Sequence, residues 1–158
     1  MIWKPDVTVA AVVERVGARL VLNQPAGHLE NGESLVQAVI RETIEETAWQ
    51  FVPEAVVGVY LWNQCPGSAD SPGRSFLRVA FLGDVVHHDA NRPLDDGIER
   101  AVWLTRQQLA AHASRLRSPL VMRCIDDYLA GRRYPLDLLA HLAETPGVAE
   151  ATLSSHTG

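Results

Sequence analysis

Within the six residues "RETIEE" stand Arg41, Glu42, Glu45 and Glu46, and Glu33 lies a short way ahead of them. On a helix, Glu42 and Glu46 would be one turn apart with Glu45 beside them. Three such carboxylates repel one another by roughly a few tenths of a kcal/mol per pair unless a cation relieves them. A hard divalent cation would do so. Mg²⁺ takes oxygen ligands, keeps several waters, and is usually held through a few carboxylates together with the phosphates of a substrate. Mn²⁺ suits the same donors. Arg41, one turn before Glu45, is placed to pair with that carboxylate and orient it. One glutamate could then be held for catalysis while its neighbours hold metal. The plainer alternative is a solvated helix face, because Glu is a good helix former and acidic stripes on exposed helices are common.

The elements around these residues decide whether they can act together. Ser34 to Thr47 reads as a helix, with Ser34 and Gln37 spaced as a capping box. The rows Val36, Ile40, Ile44 and Leu35, Val39, Thr43 should face the core, and Gln37, Arg41, Glu45 with Ala38, Glu42, Glu46 should form one polar face. The preceding stretch, residues 23 to 34, carries Pro25, Gly27, Asn31 and Gly32 and is a loop with tight turns. Gly27 permits close backbone approach there, and Glu33 stands at the helix entrance, where a carboxylate suits the positive end of the dipole.

Before the loop, Val7 to Val13 is a β-branched apolar run, and Arg19 to Leu22 could pair with it in an opening hairpin turned at Gly17. After the helix, Pro53 closes a segment and Val56 to Trp62 resumes strand character. Ser75 to Val86 is a long strand, followed by a polar loop at 87 to 97 and a short strand from Ile98 to Leu104. Thr105 to His112, capped by Thr105, and Leu120 to Leu129 are helical. Residues 1 to 142 make one domain, and 143 to 158 are expected to be a mobile tail.

The chain has 158 residues, 47% of them hydrophobic and 21% charged, which suits one domain with a single core. No stretch has the roughly 18 apolar residues a membrane span needs, and the start lacks the pattern of a secretion signal, so the expected compartment is the cytoplasm. Cys65 and Cys124 are far apart and share no CxxC spacing, which favours thiols over a disulfide or a zinc site. A net charge of −5 argues against binding a nucleic-acid polymer. An acidic protein that handles anions needs a cation.

The stretch "GHLENGESLVQAVIRETIEETAW", residues 27 to 49, resembles the Nudix box, Gx5Ex7REUxEExGU with U aliphatic, and Gly27, Glu33, Arg41, Glu42, Glu45 and Glu46 all hold their positions. Thr43, Ala48 and Trp49 depart from it without removing a carboxylate. With "WKPDVTVAAVV", "NQPAGHLE", "FLR", "LRSPLV" and "RRYPLD", the likeness extends over most of residues 3 to 139 and is to the NudJ-type phosphatase branch of the Nudix family. By ordinary strand and loop lengths, the segment between Val13 and Asn23 is about ten residues shorter than in the proteins it resembles.

The resemblance implies an α/β fold, the Nudix α/β/α sandwich with a mixed sheet, and a small-molecule phosphoanhydride substrate. It implies Mg²⁺-dependent release of terminal phosphate from nucleoside di- and triphosphates and from thiamine-pathway pyrophosphates such as hydroxymethylpyrimidine pyrophosphate. Glu42 and Glu46 are then metal ligands, Glu45 a ligand or the base on water, and the Gly27 region a backbone contributor. Arg41 orients Glu45, and Glu33 supports the helix entrance. A carboxylate outside the box is another candidate base, with Glu99 and Asp96 as the choices. Arg78 could contact substrate phosphate, and Tyr60 and Trp62 could stack on a base. His28 reads as a structural hydrogen-bonder and His87 with His88 as a solvated pair. Two other readings are a Nudix pyrophosphohydrolase cutting elsewhere in a nucleotide, dinucleotide or sugar diphosphate, and a non-catalytic regulatory module.

Overall fold

The computed structural model describes residues 3–15, 20–22, 25–66, 73–98, 101–112, 115, 116 and 118–144. Its centre is β1 (Asp6–Val12), whose residues from Val9 onward are buried. A strand covered on both faces reads as a continuous apolar run, and "VTVAAVV" is that run. Both edges of β1 are filled: it runs parallel to β6 (Ser75–His88) and antiparallel to β4 (Ala26–His28). The hairpin expected between Val7–Val13 and Arg19–Leu22 therefore does not form. Instead β2 (Glu14–Arg15) pairs with β3 (Leu20–Leu22), and β3 pairs with β7 (Trp103–Thr105), in a separate three-stranded sheet.

The main sheet is mixed and five-stranded, in the order β4-β1-β6-β5-β8, with β5 at Trp49–Asn63 and β8 at Tyr134–Pro135. Side chains alternate between its faces. Val9, Ala11, Val79 and Phe81 meet Ala38 and Val39 of α1 (Leu35–Thr47) on one side. On the other, Val12, Ala80 and Leu82 meet Leu109 of α2 (Arg106–Ala111) and Cys124 and Ile125 of α3 (Leu120–Leu129). This is the expected α/β/α sandwich. Among the described residues no helix is long and apolar enough to cross a membrane.

Four local expectations need correction. The stretch from 23 to 34, expected to be a loop, contains β4 at Ala26–His28, because the edge of β1 takes it up as a strand. Pro53 does not break the strand; it lies inside β5 opposite Gly83, at a shift of register before Ala55, and a bulge is where a strand tolerates a residue with no N–H. The strand expected over Ile98 to Leu104 is only Trp103–Thr105. Ile98 instead closes a turn on Asp95 through its N–H, with Gly97 at φ 85°, and Ile98, Ala101 and Val102 face a cavity rather than a strand neighbour. The helix buries a wider face than expected: Val39 and Thr43 are buried and Leu35, Val36 and Ile40 pack half-buried against the core as expected, but Ala38 and Glu42, assigned to the polar face, are buried too.

Both ends of α1 are sharply defined. Ser34 accepts from the Gln37 N–H at 3.1 Å, and the Gln37 side chain accepts from the Ser34 N–H at 2.8 Å, completing the capping box. At the other end Ala48 adopts the left-handed conformation (φ 60°, ψ 12°) and donates its N–H to the Ile44 carbonyl, so the helix stops as a glycine would stop it. A Cβ in that conformation costs about 1–2 kcal/mol. Ala48→Gly relieves it and loses part of the gain to a freer unfolded chain. The expected outcome is a net stabilisation of about 0.5–1 kcal/mol, read as a rise in Tm of about 1–4 °C.

Candidate active site

Arg41 is the hub of the site. Its Nη2 and Nε donate to the two Glu33 oxygens at 2.7 and 3.1 Å, its Nη1 donates to Glu42 Oε1 at 2.8 Å and to Glu45 Oε2 at 3.1 Å, and Nη2 also reaches the His28 carbonyl at 2.9 Å. One planar fork thus ties the loop, the helix entrance and two box glutamates. Glu33 in turn accepts from the Glu30 N–H at 2.8 Å, which fixes the turn at Asn31-Gly32. The Arg41 hydrogen bonds hold the Glu33 carboxyl below its ordinary range, and the same contacts hold the Arg41 guanidinium well above its own.

Glu42 is only 9% exposed, and its carboxylate occupies the space over Gly27. A Cβ at Gly27 would fall 2.0 Å from Glu42 Cδ, so no other residue fits there without expelling the carboxylate. Burial raises the Glu42 pKa, Arg41 opposes the rise, and Glu45 and Asp95 add to it.

Oxygen atoms of Glu42, Glu45 and Asp95 lie within 4.8 Å of one another. Asp95 arrives from the loop after β6, where its N–H donates to the Glu45 carbonyl at 3.0 Å and the Asp89 N–H donates to the Ala48 carbonyl at 3.0 Å. An all-carboxylate trio of hard donors suits a divalent cation of the Mg²⁺ type and offers nothing to a soft metal. Glu46, expected among the ligands, stands outside this trio: its Oε2 accepts from the Ala26 N–H at 3.1 Å, and the residue lines the adjoining cavity.

That cavity has a volume of about 730 Å³ and extends from Glu46, Gly27 and His28 to Trp62 and Phe76, with residues of the α2–α3 connection on its other side. Trp62 and Phe76 stack at 5.4 Å with 21° between their planes. Arg78 lies between the two ends. Its Nε donates to Thr8 Oγ1 at 3.2 Å, and its Nη1 is buried with no hydrogen-bond partner among the described residues. Burial lowers the Arg78 pKa, against the opposing influence of Cys124 and of Glu46.

The structure thus gathers Gly27, Glu33, Arg41, Glu42 and Glu45 with Asp95, and sets Glu46, Trp62 and Arg78 around the cavity. Tyr60 is elsewhere: its hydroxyl donates to Asp127 Oδ2 at 2.9 Å and its ring packs on the α3 side of the core. Asp96, one of the two outside carboxylates expected, is exposed and stands outside the cluster that its neighbour Asp95 joins; Glu99 lies outside the described residues. His28 contributes its carbonyl, as a structural hydrogen-bonder would, and His88 leans on Trp49 at 4.7 Å. Sequence reasoning missed Asp95, Thr8, Phe76 and Arg115, a second arginine on the cavity wall. The pair Asp95-Asp96 was the available signal for the first, and no spacing rule chose between them.

The NUDIX domain family profile matches residues 9–123. Phosphatase NudJ of Escherichia coli strain K12 is 36% identical over 148 residues, spanning 87% of this chain and 92% of that one. A solved NUDIX hydrolase from Nitrosomonas europaea superposes with a TM-score of 0.80 at 45% identity, covering 88% of this chain and 98% of that one. A MutT NUDIX hydrolase from Burkholderia pseudomallei, at 15% identity and a TM-score of 0.58 over 79% of this chain and 98% of its own, shares the fold.

Two outcomes follow from this geometry. Gly27→Ala is expected to displace Glu42 and weaken binding of Mg²⁺ or Mn²⁺, measured by calorimetric titration, about as much as Glu42→Gln does. Because the folded pKa of Glu33 is depressed, its stabilisation is present above the unfolded carboxylate value of about 4.3 and is lost as pH falls through the lower folded value. In chelator, the stability gap between the native chain and Glu33→Gln should therefore be open at pH 7 and close below about pH 4.

Proposed function

The chain belongs to the Nudix hydrolase family, and from that premise we propose that it is a metal-dependent phosphatase that releases the terminal phosphate of phosphoanhydrides. Its substrates are nucleoside di- and triphosphates and thiamine-pathway pyrophosphates, including hydroxymethylpyrimidine pyrophosphate. The observation that carries this reading is a pair of neighbouring features: a carboxylate trio suited to a divalent cation, whose Glu42 lies over Gly27, and a cavity that Gly27 and Glu46 line at one end, with the half-buried Arg78 on its wall and a stacked aromatic pair at the other end. The likeness to a protein named a phosphatase supports the choice among Nudix reactions.

Glu42, Glu45 and Asp95 would hold Mg²⁺, or Mn²⁺ in its place. Once bound, the ion supplies neutralisation of phosphate charge and polarisation of water. The chain's own groups do the rest. Water attacks the terminal phosphorus, the bond to the bridging oxygen breaks with its electron pair passing to that oxygen, and orthophosphate leaves the shortened ester. The water proton goes to a carboxylate. Glu45 is engaged by Arg41 at 3.1 Å and is assigned to the ion. Glu46, on the cavity wall, is the better-placed acceptor. Arg41 keeps the ligands oriented, and Glu33 keeps Arg41 in place. Retention of every box carboxylate argues against a regulatory module.

The test is product analysis with hydroxymethylpyrimidine pyrophosphate, a nucleoside diphosphate and a nucleoside triphosphate, each with Mg²⁺ and with chelator. Orthophosphate should appear only with metal, and Glu46→Gln should lower kcat by roughly 10²-fold or more. Metal-dependent pyrophosphate, or a nucleoside monophosphate pair from a dinucleotide, would replace this reading with that of a pyrophosphohydrolase. An unchanged rate in Glu46→Gln would remove Glu46 from the chemistry.

A further inference from the structure

We propose that Arg78 seats the phosphate that stays on the substrate's carrier group, so that the cavity binds the monophosphate product without any metal ion. This rests on the phosphoanhydride reading above and says which phosphate each end of the site takes.

A guanidinium N–H that is buried without an acceptor is rare, because its desolvation goes uncompensated. Among the described residues Nη1 of Arg78 has no acceptor, and it belongs to a residue that lines the cavity. Nε donates to Thr8, so the fork is held in place while Nη1 has no acceptor among the described residues. A phosphate oxygen is the natural partner for a guanidinium in this state.

The sheet register says which phosphate that is. Arg78 pairs with Thr8 across β6 and β1, and Thr8 pairs with His28 across β1 and β4, so the three form one row. At about 4.8 Å per strand, Arg78 is separated from the β4 backbone by about 10 Å. Next to His28 on this edge strand is Gly27, which borders the cavity and carries Glu42 against its opposite, α1-facing side. Two residues from Arg78 in the other direction is Phe76, paired with Trp62. Arg78 therefore stands between the β4 edge of the cavity, lined by Gly27, His28 and Glu46, and the aromatic wall. The phosphate to be removed must lie at the trio, and a flat ring is accommodated at Trp62 and Phe76. What remains for Arg78 is the phosphate joining the two. After cleavage that phosphate stays on Arg78, away from the trio, and the monoester is not cut again.

The experiment is titration of the full chain in chelator with a nucleoside monophosphate, its parent nucleoside and inorganic phosphate, followed by calorimetry. The native chain should bind the monophosphate at least about 10-fold more tightly than the nucleoside. Arg78→Gln should lose roughly 10-fold or more of that affinity, and Arg78→Lys should recover part of it. Removing a buried cation should not unfold the sheet, and circular dichroism melting of both variants checks that. Glu45→Gln should leave metal-free binding of the monophosphate intact. Three results would overturn the assignment: no monophosphate binding in chelator, equal affinity in the native chain and Arg78→Gln, or affinity lost in Glu45→Gln. Failure of all phosphoanhydride hydrolysis with Arg78-dependent monophosphate binding intact would sink the phosphatase reading and leave the Arg78 seat standing.

Discussion

Carboxylates in contact need a cation, and in this protein the cation built into the chain is Arg41. Its guanidinium touches Glu33 twice, Glu42 and Glu45 once each, and the His28 carbonyl. Without it, like charges on one helical face would push apart, and a largely buried Glu42 would lack its cationic partner. The residue does more than neutralise. Because its planar fork has fixed directions, it sets the distance between the loop that carries Gly27 and the helix that carries the glutamates.

The rest of the fold keeps those two segments where Arg41 can join them. β4 is fixed along β1, so Gly27 meets α1 at a constant height, and the absence of a Cβ there leaves room for the Glu42 carboxylate. Ala38 and Val39 anchor the helix to the sheet. At its far end, the left-handed turn at Ala48 leads directly into β5 and leaves a carbonyl for the Asp89 N–H, while the Glu45 carbonyl takes the Asp95 N–H. The loop with the third carboxylate is thus tied to the helix that carries the other two. On the opposite face, α2 and α3 cover the sheet and their connection borders the cavity, so the carboxylate trio and the far wall of the cavity come from different layers.

What the sequence made legible was whatever depends on local spacing. The capping box at Ser34 and Gln37, the helix from Leu35 to Thr47, and the adjacency of Arg41, Glu42 and Glu45 follow from periodicity alone, and the Nudix resemblance follows from six polar or glycine positions. What remained hidden depends on pairing between distant strands. Val7 to Val13 looked like half of a hairpin because nothing local says that both its edges are taken by Ala26–His28 and Ser75–His88. Tyr60 and Trp62 looked equivalent, both on β5 two residues apart, yet Trp62 lines the cavity while Tyr60 is engaged by Asp127 of α3. Asp95 and Asp96 are adjacent identical residues, and their separation into a cluster member and an exposed acid is decided by the turn ending at Ile98. Thr8 carries no motif; its role exists because β1 and β6 are parallel in a register that sets it beside Arg78.

The central claim is that the terminal phosphate lies at the carboxylate trio and is the one attacked. Hydrolysis of a nucleoside diphosphate in water enriched in oxygen-18, followed by phosphorus NMR, reports directly which phosphorus received the water oxygen. The account predicts the isotope shift in orthophosphate and none in the monophosphate. Label in the monophosphate would place the attack at the inner phosphorus and contradict the assignment of the two ends of the site.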